Sequence, residues 1–256
     1  MSHTVTTPKQ RKIAQRRQKI LSLAQPMLLS GGLEAIRMDE IAKQIGQAKG
    51  TVYNDFCNKE EIALALAVQA VETRFALFDA AAKMSGRPRQ RCQAIGLACE
   101  VFVSQFPAHF SAECVIRHDA ILAKTSAQRR DLLRSCEGRC VMTIGGIVRD
   151  AIAVGDLTLP APKDTGGLSY RHGVEPIIFG LWSLVYGGLL LESTSPSLAS
   201  IGIANPRLTI RRNCHAMMDG IRWKPLYNAQ RDDAFAETAY AELDQFADTL
   251  REAQND

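Results

Sequence analysis

The stretch that decides the fold is MDEIAKQIGQAKGTVYNDFCNKEEI, residues 38–62. Ile41, Ala42, Ile45, Gly46 and Val52 carry the spacing of a helix-turn-helix. The small Ala42 lets a second short helix approach, Gly46 supplies the positive φ of a tight turn, and Val52 closes the little core. Two short helices, 38–45 and 48–55, are predicted on either side of Gly46. On a helix beginning near Ala48, a turn of about 100° per residue puts Lys49, Gly50, Tyr53 and Asn54 on one half, with Val52 and Phe56 opposite. Lys49 and the Tyr53 hydroxyl can then reach phosphates, Gly50 removes bulk where a duplex would lie, and Asn54 is a partner for a base edge. The plainer reading is an ordinary helical hairpin with a solvated polar face.

Outward from this stretch, helical signals dominate. Ile13, Ile20, Ala24 and Met27 form a stripe on a first helix with a basic opposite face, stopped by SGG at 30–32. Pro26 lies inside it and costs about 3 kcal/mol unless the helix kinks. Asn58 can cap the next helix with Glu61 reaching back, after which Leu64, Val68, Val71, Phe75 and Phe78 recur every three or four residues. SGRPR at 85–89 is the clearest punctuation. Beyond it, 92–106, 109–124, 127–153, 174–192, 207–220 and 231–253 read helical, with Pro- and Gly-rich loops at 155–173 and 193–206. Nothing alternates with period two, so the fold class is all-α.

Charge is unevenly placed. The formal charge of the 256-residue chain is +4, yet residues 1–60 hold ten Lys or Arg against five Asp or Glu, and the remainder is nearly balanced. Such a footprint suits a polyanion, most simply nucleic acid. PKQRKIAQRRQK, 8–19, extends it as an arm for the backbone or the minor groove. Seven cysteines, an odd number without regular spacing and with no signal peptide ahead of them, suggest a reduced, cytoplasmic chain. The longest uncharged run, Pro176–Leu191, is 16 residues, short of the roughly 20 of a bilayer span. It reads as a buried helix, with no membrane partner.

Residues 38–62 resemble the DNA-binding signature of the TetR family of transcriptional repressors: Ile-Ala, a Gly turn, Lys-Gly-Thr-hydrophobe-Tyr, Phe, then Asn-Lys-Glu-Glu. With the preceding helix the resemblance covers about 12–75. IVRDAIAVGDL at 147–157, GLWSLVYGGLLL at 180–191 and HAMMDGIRWKPL at 215–226 are similar to effector-domain segments of the family. The resemblance implies an all-helical homodimer whose recognition helices enter successive major grooves of a palindromic operator in double-stranded DNA. The three-helix DNA-binding domain would be followed by a larger helical ligand-binding and dimerisation domain, with a four-helix bundle between subunits. The domain expectation is 1–57 for the arm and helix-turn-helix, 58–84 for a linking helix, and 85–256 for the effector and dimerisation part. By position, Lys49, Thr51 and Tyr53 match DNA-contacting residues, and Lys59 matches a phosphate-contacting lysine at a helix N-terminus. Arg37 stands where the family has a capping Thr, Gln47 replaces a turn hydrophobe, and Ala48 replaces a capping Ser; each missing cap is worth about 1 kcal/mol. Arg37 and Gln47 join the DNA-facing candidates.

Rival chemistries have weaker signals. His109, Glu113, Cys114 and His118 invite a metal site and a helical metal-dependent enzyme, but the histidines, nine residues apart, point about 180° away from each other on a straight helix. No Gly-x-Ser-x-Gly, P-loop or Gly-x-Gly-x-x-Gly is present, so neither catalysis nor a cofactor or metal is expected. A redox-responsive regulator would use Cys57, just past the recognition helix, or Cys136 with Cys140, whose Cβ atoms would be about 5–6 Å apart on a helix against the roughly 3.8 Å of a disulfide. Pro176–Leu191 and Arg207–Ile221, with Gly187 and Gly188 allowing close approach, are the dimerisation candidates. Phe102, Phe106, Phe110, Trp182 and Tyr186, with His109 or His118 as a polar contact, are the pocket candidates for a partly hydrophobic small-molecule effector. The expectation is a one-component regulator, a repressor released from DNA by its ligand.

Overall fold

The computed structural model describes residues 7–159, 173–195 and 197–255, so most of the expected loop at 155–173 lies outside the described residues. Among the described residues there are eleven α-helices and no strand: α1 Pro8–Gly31, α2 Met38–Gln44, α3 Lys49–Asp55, α4 Lys59–Lys83, α5 Pro88–Gln105, α6 Pro107–Val115, α7 Asp119–Leu122, α8 Ala127–Ala153, α9 Val174–Thr194, α10 Pro206–Gly220 and α11 Ala229–Asn255. The chain divides into two compact units, Met1–Glu72 with Phe106–Cys136, and Thr73–Gln105 with Glu137–Asp256. The division falls inside α4 and α8. Residues 106–136, read from sequence as part of the C-terminal domain, thus pack with the first unit.

In the first unit, α1 opens on a reciprocal cap. Thr7 accepts the Gln10 N–H while its own N–H donates to the Gln10 side chain, and Pro8 occupies the first turn, where its missing donor costs nothing. The helix runs through Pro26 and ends where Gly32 takes φ 65°. Pro26 and Ser22 both lie on the exposed side, so the carbonyl that loses its donor can turn to water. The buried stripe is Ile20, Leu21, Ala24 and Leu28, with Ile13 and Met27 only half-buried. The predicted stripe is therefore rotated slightly, because α6 packs against the same helix.

The α2–α3 turn is built by its glycine. Gly46 has φ 65°, its N–H reaches the Lys43 carbonyl at 3.2 Å, and the Gln47 N–H reaches the Ala42 carbonyl at 3.0 Å. This is the paired bond pattern of a Schellman cap, which needs the left-handed residue at that position. Ile41, Ala42, Val52 and Phe56 are buried beneath it. Arg37 and Ala48, the residues before α2 and α3, make no side-chain cap, as the sequence suggests. Asn58 does cap α4 through the Glu61 N–H at 2.8 Å, but Glu61 does not complete the box. Its carboxylate instead accepts from the Ser126 N–H and from Arg129.

In the second unit α5 packs on α11, α9 and α10, and α9 lies along α10. Arg89, buried at the start of α5, donates to the carbonyls of Trp223 (2.5 Å) and His215 (3.3 Å) and pairs with Asp219 at 2.7 Å. It ties α5 to the end of α10, and its charge is compensated where it is buried. The α9–α10 contact depends on two glycines. A Cβ on Gly180 would fall under 3.0 Å from Met217, and one on Gly188 likewise from Ile210, while Gly187 faces open space. Of the glycine pair marked for dimerisation, Gly188 is thus used within the chain. α9 is long and apolar enough to cross a membrane by length and composition, but only 28% of its most apolar stretch is buried in the chain. The helix expected to be buried has a buried side and an open side, on which Phe179 is 66% and Leu191 56% exposed.

Candidate functional site

α3 divides by face as its periodicity requires. Val52 and Phe56 are buried, whereas Lys49, Gly50, Tyr53 and Asn54 are exposed, with Thr51 half-buried. Nothing lies within 4 Å of where a Gly50 Cβ would sit, so the glycine leaves a clear approach to the helix backbone. Arg37 and Gln47 are exposed at the preceding turns and Lys59 is half-buried at the start of α4. Arg37, Tyr53 and Lys59 border one shallow hollow, with Cys57 and Asn58 also on its wall. Two cations of the set are held by acids in the free protein. Lys49 Nζ is 2.7 Å from Asp39 and 5.8 Å from the Tyr53 ring centre, and Lys59 Nζ is 2.5 Å from Glu34. The hydrogen bond to Asp39 raises the Lys49 pKa above its ordinary value.

What fixes this face is a set of buried ionic contacts that periodicity does not reveal. Asp55, at the end of α3, is 4% exposed and accepts from Arg16 Nε at 2.5 Å and from Arg17 Nε at 3.4 Å. Arg129 donates to the Asp55 carbonyl at 3.2 Å, lies 4.6 Å from the Phe56 ring centre, and pairs with Glu61. The recognition helix is thus clamped at its C-terminal end on α1, α4 and α8. Arg16, counted from sequence among the charges available to a polyanion, is committed to Asp55.

This arrangement of a Schellman turn, a buried Val52 and an exposed basic-aromatic face coincides with a family match. Residues 20–66 match the family model described as bacterial regulatory proteins, tetR family. The chain carries a TetR-family domain. The fold agrees with solved structures of low identity over most of the chain. A TetR-family regulator, PfmR, from Thermus thermophilus aligns at 17% identity and TM-score 0.55, over 82% of this chain and 99% of that one. A proposed transcriptional regulator from Saccharomonospora viridis, solved with choline, aligns at 17% and 0.59 over 80% and 96%. A proposed fatty acid metabolism regulator from Clostridium perfringens aligns at 18% and 0.55 over 79% and 98%. No curated protein matches the chain.

Beyond the TetR-family domain, the second unit encloses a cavity of about 80 Å³. Of the seven pocket candidates, Trp182 lines it. Tyr186 meets Trp182 edge-on with ring centres 6.4 Å apart but is not on the wall, and Phe102 is buried away from it. Phe106, His109, Phe110 and His118 belong to the first unit. There His109 stacks on Phe106 at 5.6 Å, burial pushes its pKa down to about 4, and His118 is exposed. The cavity wall instead includes Cys92, Cys99, Cys140, Cys214 and His215, none of which the aromatic spacing marked. All seven cysteines are free thiols, Cys57 exposed and Cys136 and Cys140 buried. Among the described residues no group of three or more His, Cys, Asp or Glu is placed to hold a metal ion.

Proposed function

We propose that the protein is a one-component cytoplasmic repressor. A homodimer binds a palindromic operator with α3 in the major groove, and a small molecule in the second-unit cavity favours a conformation that binds DNA less well. Effector and DNA then oppose each other through one coupling free energy. The observation that carries the reading is the exposed face of α3: Lys49 and Tyr53 beside the unobstructed Gly50, with Asn54 on the same side and Val52 buried opposite. Arg37, Gln47, Thr51 and Lys59 surround that face and supply further phosphate or sugar contacts. A relative bound to choline and another described for fatty acid metabolism support a small-molecule input to this kind of fold.

The test begins by selecting the preferred duplex from random DNA. Lys49→Ala with Tyr53→Phe should weaken binding to every sequence by about tenfold or more and lower the salt slope by about one. Asn54→Ala should leave the slope in place and relax preference at one base position, with a discrimination loss of about 1–3 kcal/mol. Failure to select any sequence, or a double variant with wild-type salt dependence, overturns the assignment of this face to DNA.

A further inference from the structure

The cavity of the second unit shows what kind of molecule it accepts. Its wall is mainly hydrocarbon, from residues such as Ile95, Leu97, Ile144, Ile178, Leu181 and Val185. The formally charged side chains on it cancel, Arg74 and Arg211 against Glu100 and Glu137. Glu100 is buried, and both of its oxygens are taken by Arg211, at 2.8 and 2.6 Å. Three further titratable groups there, Cys92, Cys214 and His215, are neutral near pH 7. Burial pushes the Cys92 and Cys214 thiols up to about 12, and burial, aided by the Arg89 charge, pushes His215 down to about 4. An ion entering this space would lose its hydration against a wall that is mainly hydrocarbon, which is the costly way to bury charge. An uncharged apolar molecule meets no such penalty. Engineered apolar cavities of roughly 150 Å³ stay dry and take up benzene, and the space of about 80 Å³ is smaller than that.

We propose that this cavity selects a compact, uncharged, largely apolar molecule, with a short aliphatic chain or at most a single ring, and rejects the carboxylate and ammonium analogues of the same shape. The proposal rests on reading the second unit as the effector site, and it adds the ligand class to that reading.

Three probes of one skeleton separate the possibilities: pentan-1-ol, pentanoate and pentylammonium, titrated into the full chain at neutral pH while the methyl resonances of Ile144 and Ile178 are followed. Pentan-1-ol is expected to saturate these shifts with an affinity at least about tenfold tighter than either ion. Gly96→Leu, at a wall position where an added Cβ meets only Val185 at 3.9 Å, should fill the space and abolish the response. Glu100→Gln leaves Arg211 uncompensated and should bring pentanoate to within the range of the alcohol or beyond it. Equal or tighter binding of an ion by the unaltered protein overturns the proposal, as does an absence of shifts with all three probes. Affinity for the selected duplex is measured in the same samples. Alcohol binding that leaves DNA affinity unchanged sinks the effector reading and supports the ligand class, whereas ion binding that releases DNA does the reverse.

Discussion

Under the proposed reading, the acid beside Lys49 stands where a phosphate would lie. The Asp39 carboxylate sits 2.7 Å from the ammonium, and both side chains are well exposed, at 61% and 65%. So exposed a pair is screened by solvent and adds little to stability, and under the proposed reading DNA would displace it while the acid adds a negative charge beside the phosphates. Asp39→Asn is therefore expected to tighten DNA binding by about threefold to tenfold at about 50 mM salt, with the gain shrinking at about 300 mM. Anisotropy titrations at the two salt concentrations check this. Weaker binding by the variant would mean that Asp39 positions Lys49 rather than competing for it. Asp55 is the opposite case. Buried with Arg16 and Arg17 against it, it holds the helix in place and is not available to exchange.

At the scale of elements, α9 and α10 meet through two glycines whose neighbours differ in stiffness. Gly188 abuts Ile210, a β-branched side chain that is itself buried, whereas Gly180 abuts the end of Met217, a half-buried thioether with three rotatable bonds. Alanine gains about 1 kcal/mol of helix propensity at either position. Gly180→Ala should therefore be close to neutral, while Gly188→Ala should lose about 1–3 kcal/mol through overpacking. Urea unfolding of the two variants gives the order directly, and a greater loss at Gly180 would contradict it. The same comparison shows where sequence reading stops. The Ala42–Gly46–Val52 turn and the two faces of α3 were legible because they depend on spacing within about twenty residues and on one left-handed glycine. Which of Gly187 and Gly188 turns inward depends on α10, and the partners of Asp55 come from α1 and α8. Phe106 and Phe110, marked as pocket candidates, are instead buried in the first unit, because helical spacing cannot tell which of two cores a buried face serves. For the same reason the cavity, made by α4, α5 and α8–α10, was approached through Trp182 alone.

At the scale of the whole molecule, the open side of α9 is the surface on which the proposed homodimer would form. Phe179, Ser183, Tyr186 and Leu190 recur at helical spacing and none is buried, although the helix is the most apolar in the chain. Leu208 on α10 is exposed as well. A second copy with the same surface would cover these side chains isologously, as two-fold homodimers do. The consequence for DNA follows from linkage of two half-sites. A dimer binds the second half-site at the high effective concentration set by the first, which multiplies affinity by about 10²–10⁴. Phe179→Glu places a charge in that apolar seam and should yield a folded chain that light scattering sizes at the monomer mass of 28.1 kDa. Its affinity for the full palindrome should fall by about a hundredfold or more, while its affinity for a single half-site stays near that of the parent, because the α3 face is untouched. A parent protein that already sizes as a monomer, or a Phe179→Glu variant that stays dimeric with full operator affinity, would place the association surface elsewhere. The half-site measurement separates this from simple unfolding, since a misfolded variant would lose both affinities together.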